Sequence, residues 1–389
     1  MGGAHGHPGA NTERARQFSL YLRMIRGVLR TARYARSWKA GADVRVRETT
    51  IERDGEAIPA TLVLPREGRG PFPPWIAIGG VSRMGRRHPQ LVRFAEALAH
   101  SGSAVLVPEI PEWRELQVTP RVIGPTIAGA LEWLKTCEEA RPGKVGVIGF
   151  SFGAPGVAMA ASQADLSEHV AGIVLFGGYC CLDRTMRCLL TGRHEWEGTQ
   201  YQLNPDPYGR YVVASNHLTD IPGREDAGDV AEALHHLACA ASESRISAWD
   251  PRHDELIREV REGLPQKRHE LFDCLARPTD GPPVDVDRCL ALAAELTQAC
   301  RRVEPWLDPG VRVQSIGVPT QLLHGRGDRL VPFTEGLRLM DAMPEEVRRG
   351  ITVTRLFNHS ADHELEGFTD QVVEKAALFR ALQGLINTV

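Results

Sequence analysis

Short apolar segments alternate with helical segments along the first half of the chain, and this alternation constrains the fold more than any other feature. The segments PPWIAIGGV, SAVLVPE, KVGVIGF and VAGIVLFGGY are largely apolar, as in strands that are buried on both faces. Stretches between them show helical spacing, and one of these, HPQLVRFAEALAHSG, ends at Gly102. Strands that alternate with helices form parallel sheets with helices on both faces. The sequence therefore predicts an α/β fold with a mostly parallel central sheet.

Two departures from this alternation divide the chain. Residues 44–65 alternate apolar and polar side chains around Asp54 and Gly55, which predicts a pair of antiparallel strands. From about Tyr179 to Pro309 the pattern is mainly helical, and the alternation then resumes with VPTQLLHGRGDRLVPF. We therefore expect four segments: a disordered tip and a basic amphipathic helix over 1–40, the first part of the core over 41–180, a helical cap inserted after the sixth strand over 181–309, and the second part of the core over 310–389.

The segment TERARQFSLYLRMIRGVLRTARYARSWK is rich in arginine and contains no acidic residue after Glu13. Phe18, Leu22, Ile25 and Leu29 recur at helical spacing, so an amphipathic helix is predicted. Arginines interrupt the segment too often for a secretory signal. Two interpretations stay open. The helix packs on its own domain with the arginines facing water, or it makes a weak peripheral contact with an anionic membrane surface.

Composition and charge argue against several function classes. The formal net charge of −3 over 389 residues gives no electrostatic basis for binding nucleic acid. No apolar run in the sequence reaches the roughly 20 residues that span a bilayer. The eight cysteines include no Cys-x-x-Cys pair, as expected for reduced thiols in a cytoplasmic protein. The adjacent His235 and His236 point about 100° apart on a helix, so we expect no metal site, and we expect no cofactor.

The pentapeptide GFSFG ends one of the predicted buried strands and begins a helix. Ser151 stands between Gly149 and Gly153 at this strand-to-helix turn. Such a turn strains the backbone of the serine, and side chains two residues before or after it would collide with neighbouring backbone. The hydroxyl is then exposed at the carboxyl end of the sheet, where open α/β sheets bind ligands. Ser151 is therefore the candidate nucleophile.

A nucleophilic serine needs a base, and the base needs an acid that orients it. Asp328 follows the strand in LLHGRGDRLVP, whereas His359 and His363 follow the last strand in VTRLFNHSADHE. Acidic residues flank His363, so His359 is preferred as the base and His363 is the alternative. Asp183, just after an earlier strand, is a further candidate acid. The preferred residues occur in the order Ser, Asp, His.

These elements give the chain a resemblance to the α/β-hydrolase superfamily. Within it, GFSFG and HGRGDRLVPF resemble segments of bacterial serine esterases of the dienelactone-hydrolase and prolyl-oligopeptidase-like branches, here with a large helical cap. The resemblance implies that Ser151, His359 and Asp328 form a catalytic triad that cleaves a carboxylic ester through an acyl-enzyme intermediate. The alternatives are a thioesterase, acyltransferase or peptidase with the same triad, or a catalytically silent protein that binds a small ligand.

The resemblance also implies an oxyanion hole formed by two backbone N–H groups. One belongs to Phe152, the residue after the nucleophile. The other belongs to the loop after the third strand, where this chain has Gly79-Gly80 and many family members have His-Gly. We assign the second donor to Val81 by its position. The expected contacts of the small-molecule ester substrate are Gly80, Trp113, Trp196 and Tyr201.

Overall fold

A computed structural model describes residues 25–244, 246–283, 285–356 and 368–389 of the chain. Its strands are β1 (Val44–Arg53), β2 (Glu56–Pro65), β3 (Pro74–Ile78), β4 (Ala104–Pro108), β5 (Val145–Phe150), β6 (Val170–Phe176), β7 (Arg193–Trp196), β8 (Thr199–Gln202), β9 (Thr320–Gly325) and β10 (Arg348–Thr354). Eight of them form one sheet in the order β1-β2-β4-β3-β5-β6-β9-β10. β2 pairs antiparallel with β1 and β4, and the other neighbours run parallel. The predicted α/β class with a mostly parallel sheet is confirmed.

Helices cover both faces of the sheet and most of the chain between β6 and β9. They are α1 (25–40), α2 (Pro89–His100), α3 (Pro111–Arg114), α4 (Ile123–Thr136), α5 (Gly153–Ala160), α6 (Ala164–Ser167), α7 (Leu182–Thr191), α8 (Tyr208–His217), α9 (Gly228–Ser244), α10 (Asp254–Glu262), α11 (Gln266–Leu275), α12 (Val286–Val303), α13 (Phe333–Asp341) and α14 (Phe368–Ile386). Short 3₁₀ turns connect several of them.

Burial explains why the central strands are so apolar. Every residue of β3 and β4 is buried, because helices cover both faces of the sheet at these strands. The edge strand β1 is largely exposed and turns into β2 at Asp54 and Gly55, whose φ angles are +52° and +84°. Positive φ at both central residues is typical of a tight two-residue hairpin. The antiparallel pair predicted from the sequence is therefore present.

The side chains on the two faces of the sheet belong to two separate hydrophobic cores. Ile76 and Ile78 of β3 belong to a core that includes residues of α4, α5 and α13. Trp75 and Ala77 belong to a core that includes residues of α1, α2 and α14. This division follows from the two-residue period of a strand. Because β3, β5, β6, β9 and β10 run parallel, the loops that follow them meet at one edge of the sheet.

The segment between β6 and β9 (residues 177–319, hereafter the insertion) contains α7 to α12 and has a core of its own. The beginning and the end of the insertion contact each other. The Tyr179 hydroxyl donates a hydrogen bond to the Leu307 carbonyl (2.9 Å). The segment is mainly helical, as expected, but it also contains the hairpin β7-β8, which the sequence did not lead us to expect. This hairpin turns at Glu197 and Gly198, which have φ angles of +48° and +79°.

Helix α1 packs on its own domain with one side and leaves apolar side chains exposed on the other. Ile25 and Leu29 are 42% and 56% exposed, whereas Thr31 and Tyr34 are buried. Arg30 donates hydrogen bonds to backbone carbonyls near the ends of α2 and α14, which draws its side of the helix inward. Helix α1 therefore contacts its own domain through Arg30 and Tyr34, and it leaves Ile25 and Leu29 exposed.

Part of the predicted N-terminal segment cannot be compared with the structure. Phe18, Leu22 and the N-terminal tip lie outside the described residues. Within the residues that are described, no helix combines the length and the apolar character needed to cross a membrane. The contact with a membrane surface, which the basic helix suggested, stays a prediction.

Candidate active site

Ser151 occupies the turn between β5 and α5, at the carboxyl edge of the sheet. Its φ angle is +52°, one of four positive values at non-glycine residues in the described chain. Such strain costs on the order of 1–3 kcal/mol and persists where the surrounding structure enforces it. The Ser151 amide donates to the Phe176 carbonyl at the end of β6 (2.7 Å), and the Ser151 carbonyl accepts from the Ala154 amide (3.0 Å). The two hydrogen bonds hold the strained turn on both sides of the serine.

Gly149 and Gly153 flank this turn where no side chain fits. A Cβ atom on Gly149 would lie 2.7 Å from the Cα atom of Ala154, and one on Gly153 would lie 2.2 Å from the carbonyl oxygen of Gly79. Both obstacles are backbone atoms, so they cannot rotate away as a side chain could. Gly149 is required because the β5-α5 turn folds back on itself, and Gly153 is required because the loop after β3 approaches this turn closely.

Gly153→Ala is expected to lower the free energy of unfolding by about 1–3 kcal/mol, the usual cost of overpacking. The added methyl group would press on the Gly79 carbonyl, which denaturation by urea would report as a lower midpoint. Gly228→Ala at the start of α9 is the control, because a Cβ atom there meets nothing within 4 Å. Equal stability of the Gly153→Ala and wild-type proteins would contradict the close approach of the two loops.

The loop after β3 (residues 79–84, hereafter the β3 loop) lies directly against the serine. A Cβ atom on Gly80 would lie 3.2 Å from Cβ and 3.6 Å from Oγ of Ser151. The lack of a side chain at Gly80 therefore leaves space beside the hydroxyl. Within the described chain, no acceptor takes a hydrogen bond from the amide of Val81 or of Phe152. These are the two donors expected from the sequence, and their role stays a prediction.

Asp328 lies on the loop after β9 (residues 326–332, hereafter the β9 loop), and its side chain is buried. Its Oδ1 atom accepts hydrogen bonds from the amides of Leu330 (2.9 Å) and Val331 (3.0 Å). Its Oδ2 atom lies 3.5 Å from Nε2 of the buried His324, which donates to the Val331 carbonyl (2.9 Å). These contacts hold the Asp328 carboxylate in one orientation. His324 was not a candidate in the sequence, although it stands in the same segment, LLHGRGD.

The last parallel strand ends beside the β9 loop. The amide of Arg326 donates to the carbonyl of Thr354, the final residue of β10 (2.8 Å). The Thr354 hydroxyl in turn donates to the Glu374 carboxylate of α14 (2.6 Å), which ties the strand end to a helix. The chain therefore leaves β10 close to the candidate acid. The two candidate bases, His359 and His363, lie outside the described residues.

Asp183, the further candidate acid, lies in the first turn of α7. Its carboxylate accepts a hydrogen bond from Arg187, one helical turn later (2.8 Å). A pair with this spacing stabilises a helix modestly, and a negative charge in the first turn also favours the helix dipole. These contacts give Asp183 a role in the insertion that requires no part in catalysis.

The insertion contacts the residues beside the serine. Val81 and Phe152 pack against the core of the insertion as well as against the core of the sheet. The Tyr208 hydroxyl of α8 donates to the Val81 carbonyl (3.1 Å), and the Arg83 amide donates to the Ser242 hydroxyl of α9 (3.0 Å). Neither Tyr208 nor Ser242 was a site candidate, because no local pattern connects them to the β3 loop.

Trp113 lies in the wall behind Phe152. Its buried ring packs edge-on against the Phe152 ring with 5.3 Å between centroids, and its Nε1 atom donates to the Thr119 carbonyl (3.4 Å). The neighbouring Glu112 forms an ion pair with the largely buried Arg53 at 2.5 Å. This segment therefore supports the residue next to the serine, and a direct contact of Trp113 with substrate stays a prediction.

Trp196 and Tyr201 lie on the β7-β8 hairpin, against α13. The Tyr201 ring packs edge-on against Phe333 (5.2 Å between centroids), and the Arg338 guanidinium lies over the Trp196 ring (5.2 Å). His194 stacks on Tyr201, and burial, with the charge of Arg338, lowers the pKa of His194 to about 4. The His194 ring is therefore neutral at neutral pH. Contact of Trp196 and Tyr201 with substrate stays a prediction.

Comparison with known proteins finds structural similarity at low sequence identity. No protein-family model matches the chain, and no curated protein matches its sequence. An acylaminoacyl peptidase of Pyrococcus horikoshii aligns with a TM-score of 0.47 and 11% identity over 88% of this chain and 42% of its own, so this chain spans less than half of that protein. A 2,6-dihydroxy-pseudo-oxynicotine hydrolase aligns at 0.45 with 15% identity over 92% and 73%. An α/β-hydrolase from Penicillium aligns at 0.44 with 15% identity over 88% and 99%.

Proposed function

We propose that this chain, which has the sheet order of the α/β-hydrolase fold, is a serine hydrolase that cleaves a carboxylic ester of a small molecule. The observation that carries the proposal is the conformation of Ser151, whose φ angle of +52° occurs at the turn from a parallel strand into a helix. Strain of this kind is concentrated at functional sites. Gly80 faces the serine side chain and leaves open space beside its hydroxyl.

In the proposed reaction, Ser151 Oγ attacks the carbonyl carbon of the ester while His359 accepts the serine proton. Asp328 orients the imidazole by accepting a hydrogen bond from its other nitrogen. The protonated His359 then gives its proton to the departing alkoxide, which leaves an acyl-enzyme. A water molecule, deprotonated by the same histidine, attacks the acyl group and releases the carboxylic acid.

The amides of Val81 and Phe152 are proposed to bind the negatively charged oxygen of the tetrahedral intermediate. Their positions support this role, since both residues adjoin Gly80 or Ser151 and neither amide donates to an acceptor in the described chain. Loss of one such donor costs about 10²–10³-fold in kcat in a well-studied serine protease. The conformation of the β3 loop therefore governs a large part of the proposed rate enhancement.

The surroundings of the serine favour an ester with an apolar acyl group. Val81 and Phe152 are partly buried apolar residues that join the core of the sheet to that of the insertion. An apolar chain that enters beside them loses contact with water, which favours binding by about 25 cal/mol for each Å² of apolar surface buried. The proposed substrate contacts are Gly80, Trp113, Trp196 and Tyr201.

Labelling with a fluorophosphonate probe tests whether the serine is activated. The reagent phosphonylates serines that a base has made nucleophilic, so we expect a single adduct, which mass spectrometry of the digested protein would locate at Ser151. A protein that stays unlabelled, yet binds small esters without hydrolysing them, would instead be the catalytically silent binding protein.

A matched substrate set separates the acyl-transfer alternatives. Esters of p-nitrophenol with acyl chains from acetyl to decanoyl are compared with thioesters and anilides of the same acids. We expect kcat/KM to be highest within the ester series and to rise with acyl length before it reaches a plateau. A thioester or anilide that reacts faster than the ester of the same acid would favour a thioesterase or a peptidase.

A further inference from the structure

We propose that the insertion holds the β3 loop in its catalytic conformation, and that Tyr208 and Ser242 are the positioning residues that do so. Neither residue touches the reacting atoms in the proposed mechanism, because both act through the backbone of the β3 loop. The inference rests on the proposed function, since it explains how the oxyanion hole is held together. Its consequence is that the amide of Val81 depends on contacts from outside the central sheet.

Tyr208 restrains the carbonyl side of Val81. The Tyr208 hydroxyl donates to the Val81 carbonyl oxygen across 3.1 Å. Burial raises the pKa of Tyr208 above its ordinary value, so the hydroxyl keeps the proton that it donates. The bond fixes the peptide plane that follows Val81. The Val81 amide is tied to that plane through the two torsions of a single residue, so its direction is restricted as well.

Ser242 restrains the residues that follow Val81. Its hydroxyl oxygen accepts a hydrogen bond from the Arg83 amide (3.0 Å) and lies 3.3 Å from the Ser82 hydroxyl. The Ser82 hydroxyl accepts from the Met84 amide (3.1 Å). Tyr208 and Ser242 therefore contact consecutive parts of the same loop, Tyr208 at Val81 and Ser242 at Ser82 and Arg83.

The directions of two of these hydrogen bonds follow from the atoms involved. The Val81 carbonyl can only accept, so Tyr208 donates to it. The Arg83 amide can only donate, so the Ser242 oxygen accepts from it. In the contact between the Ser82 and Ser242 hydroxyls either group can donate, and both arrangements hold the two residues together.

The β3 loop needs this support because of its own sequence. Gly79 and Gly80 have no side chains, and glycine has more backbone freedom than any other residue. A stiffer residue at Gly80 would place its Cβ atom 3.2 Å from Cβ of Ser151, so the serine side chain would have to shift by a few tenths of an ångström. The restriction of the loop must therefore come from its neighbours, and the insertion supplies the hydroxyl contacts.

Ion pairs surround the same loop but are more exposed. Arg83 lies 2.9 Å from the Glu115 carboxylate and 3.2 Å from the Glu243 carboxylate, and these glutamate side chains are 65% and 60% exposed. Solvent screens such pairs, and they contribute little to holding one geometry. The partly buried hydroxyl contacts are the more specific restraint, and they are the ones to remove in a test.

Tyr208→Phe is expected to lower kcat for the best p-nitrophenyl ester by about 10–100-fold and to change KM by less than about twofold, as for loss of an interaction made in the transition state. Tyr211→Phe is the matched control, because Tyr211 lies one turn further along α8. Its buried hydroxyl has no hydrogen-bond partner in the described chain. That variant is expected to keep the wild-type kcat.

Two variants of Ser242 provide a second test that does not depend on Tyr208. Ser242→Ala is expected to lower kcat, whereas Ser242→Thr keeps the hydroxyl and is expected to restore most of it. The rate of fluorophosphonate labelling should fall in parallel with kcat, because phosphonylation also places negative charge in the oxyanion hole. Thermal unfolding of each variant identifies any loss of activity that follows from loss of the fold.

The outcomes separate this inference from the proposed function. If wild-type protein hydrolyses esters and both Tyr208→Phe and Ser242→Ala keep its kcat, the inference is wrong and the proposed function stands. An equal loss in Tyr211→Phe, or a rise in KM alone in Tyr208→Phe, also overturns the inference. If wild-type protein neither hydrolyses esters nor reacts with the fluorophosphonate, the proposed function and the inference fall together.

Discussion

Ser151→Ala is expected to abolish ester hydrolysis, with a loss of about 10⁴–10⁶-fold in kcat, because the variant has no atom that can form the acyl-enzyme. Its thermal unfolding should stay close to that of the wild type. Alanine keeps the Cβ atom of serine, so the strain at a φ angle of +52° is the same in both proteins. The measurements are kcat/KM for the best p-nitrophenyl ester and the extent of fluorophosphonate labelling.

Ser162→Ala is the matched control for this prediction. Ser162 lies just beyond α5, and its hydroxyl donates to the Met159 carbonyl (2.6 Å), away from the β5-α5 turn. This variant should keep full activity and full labelling. A tenfold loss in kcat corresponds to an activation free energy that is about 1.4 kcal/mol higher. If Ser151→Ala retained more than about a tenth of the wild-type kcat, another residue would be the nucleophile.

The fold was predictable from the sequence where burial is uniform. The strands β3, β4, β5 and β6 are buried almost throughout, so their segments are apolar and stand out between helical stretches. The turn at Asp54 and Gly55 was equally clear, because few sequences satisfy positive φ at two successive residues. At these strands and at this turn, the local preference of the sequence favours the same secondary structure as the tertiary environment.

Prediction failed where tertiary contacts decide between two local patterns. In α1 the spacing of Ile25 and Leu29 indicated an amphipathic helix but not the side that packs, and the neighbouring α2 and α14 meet the side that carries Arg30 and Tyr34. The β7-β8 hairpin consists of the segments RHEW and TQYQ, which are polar and short. Their pairing is stabilised by α13, and no feature of the two segments alone indicates it.

Some residues of the candidate site are recognisable from the local sequence, whereas others are brought to it by tertiary contacts. The glycines around Ser151 are a local requirement, so the pentapeptide identified the turn once the strand before it and the helix after it had been recognised. Tyr208 and Val81 are 127 positions apart, and their hydrogen bond follows from the docking of the insertion on the sheet. A single sequence contains no periodic or motif signal for such a contact. Residues that support a site from another element are therefore found only when the structure is examined.

Both candidate histidines follow β10 in the sequence. The carbonyl of Thr354 accepts a hydrogen bond from the Arg326 amide (2.8 Å), so the strand ends beside the β9 loop that carries Asp328. His359 is nearer in sequence to Thr354 than His363 is. A residue spans at most about 3.6 Å of chain, so chain length alone allows either histidine to reach this acid. The preference for His359 stays a prediction, which rests on the acidic residues that flank His363 in the sequence.

His359→Ala is accordingly expected to lower kcat by about 10⁴–10⁶-fold, as loss of the base does in serine hydrolases. His363→Ala serves as the matched control and should cost less than about tenfold, roughly 1.4 kcal/mol of barrier. Added imidazole should restore part of the activity of His359→Ala, because a free base can occupy the space left by the side chain, and it should not stimulate His363→Ala. The reverse ranking of the two variants would assign the base to His363. The Ser151 and Asp328 assignments would survive that result, because neither depends on which histidine links them.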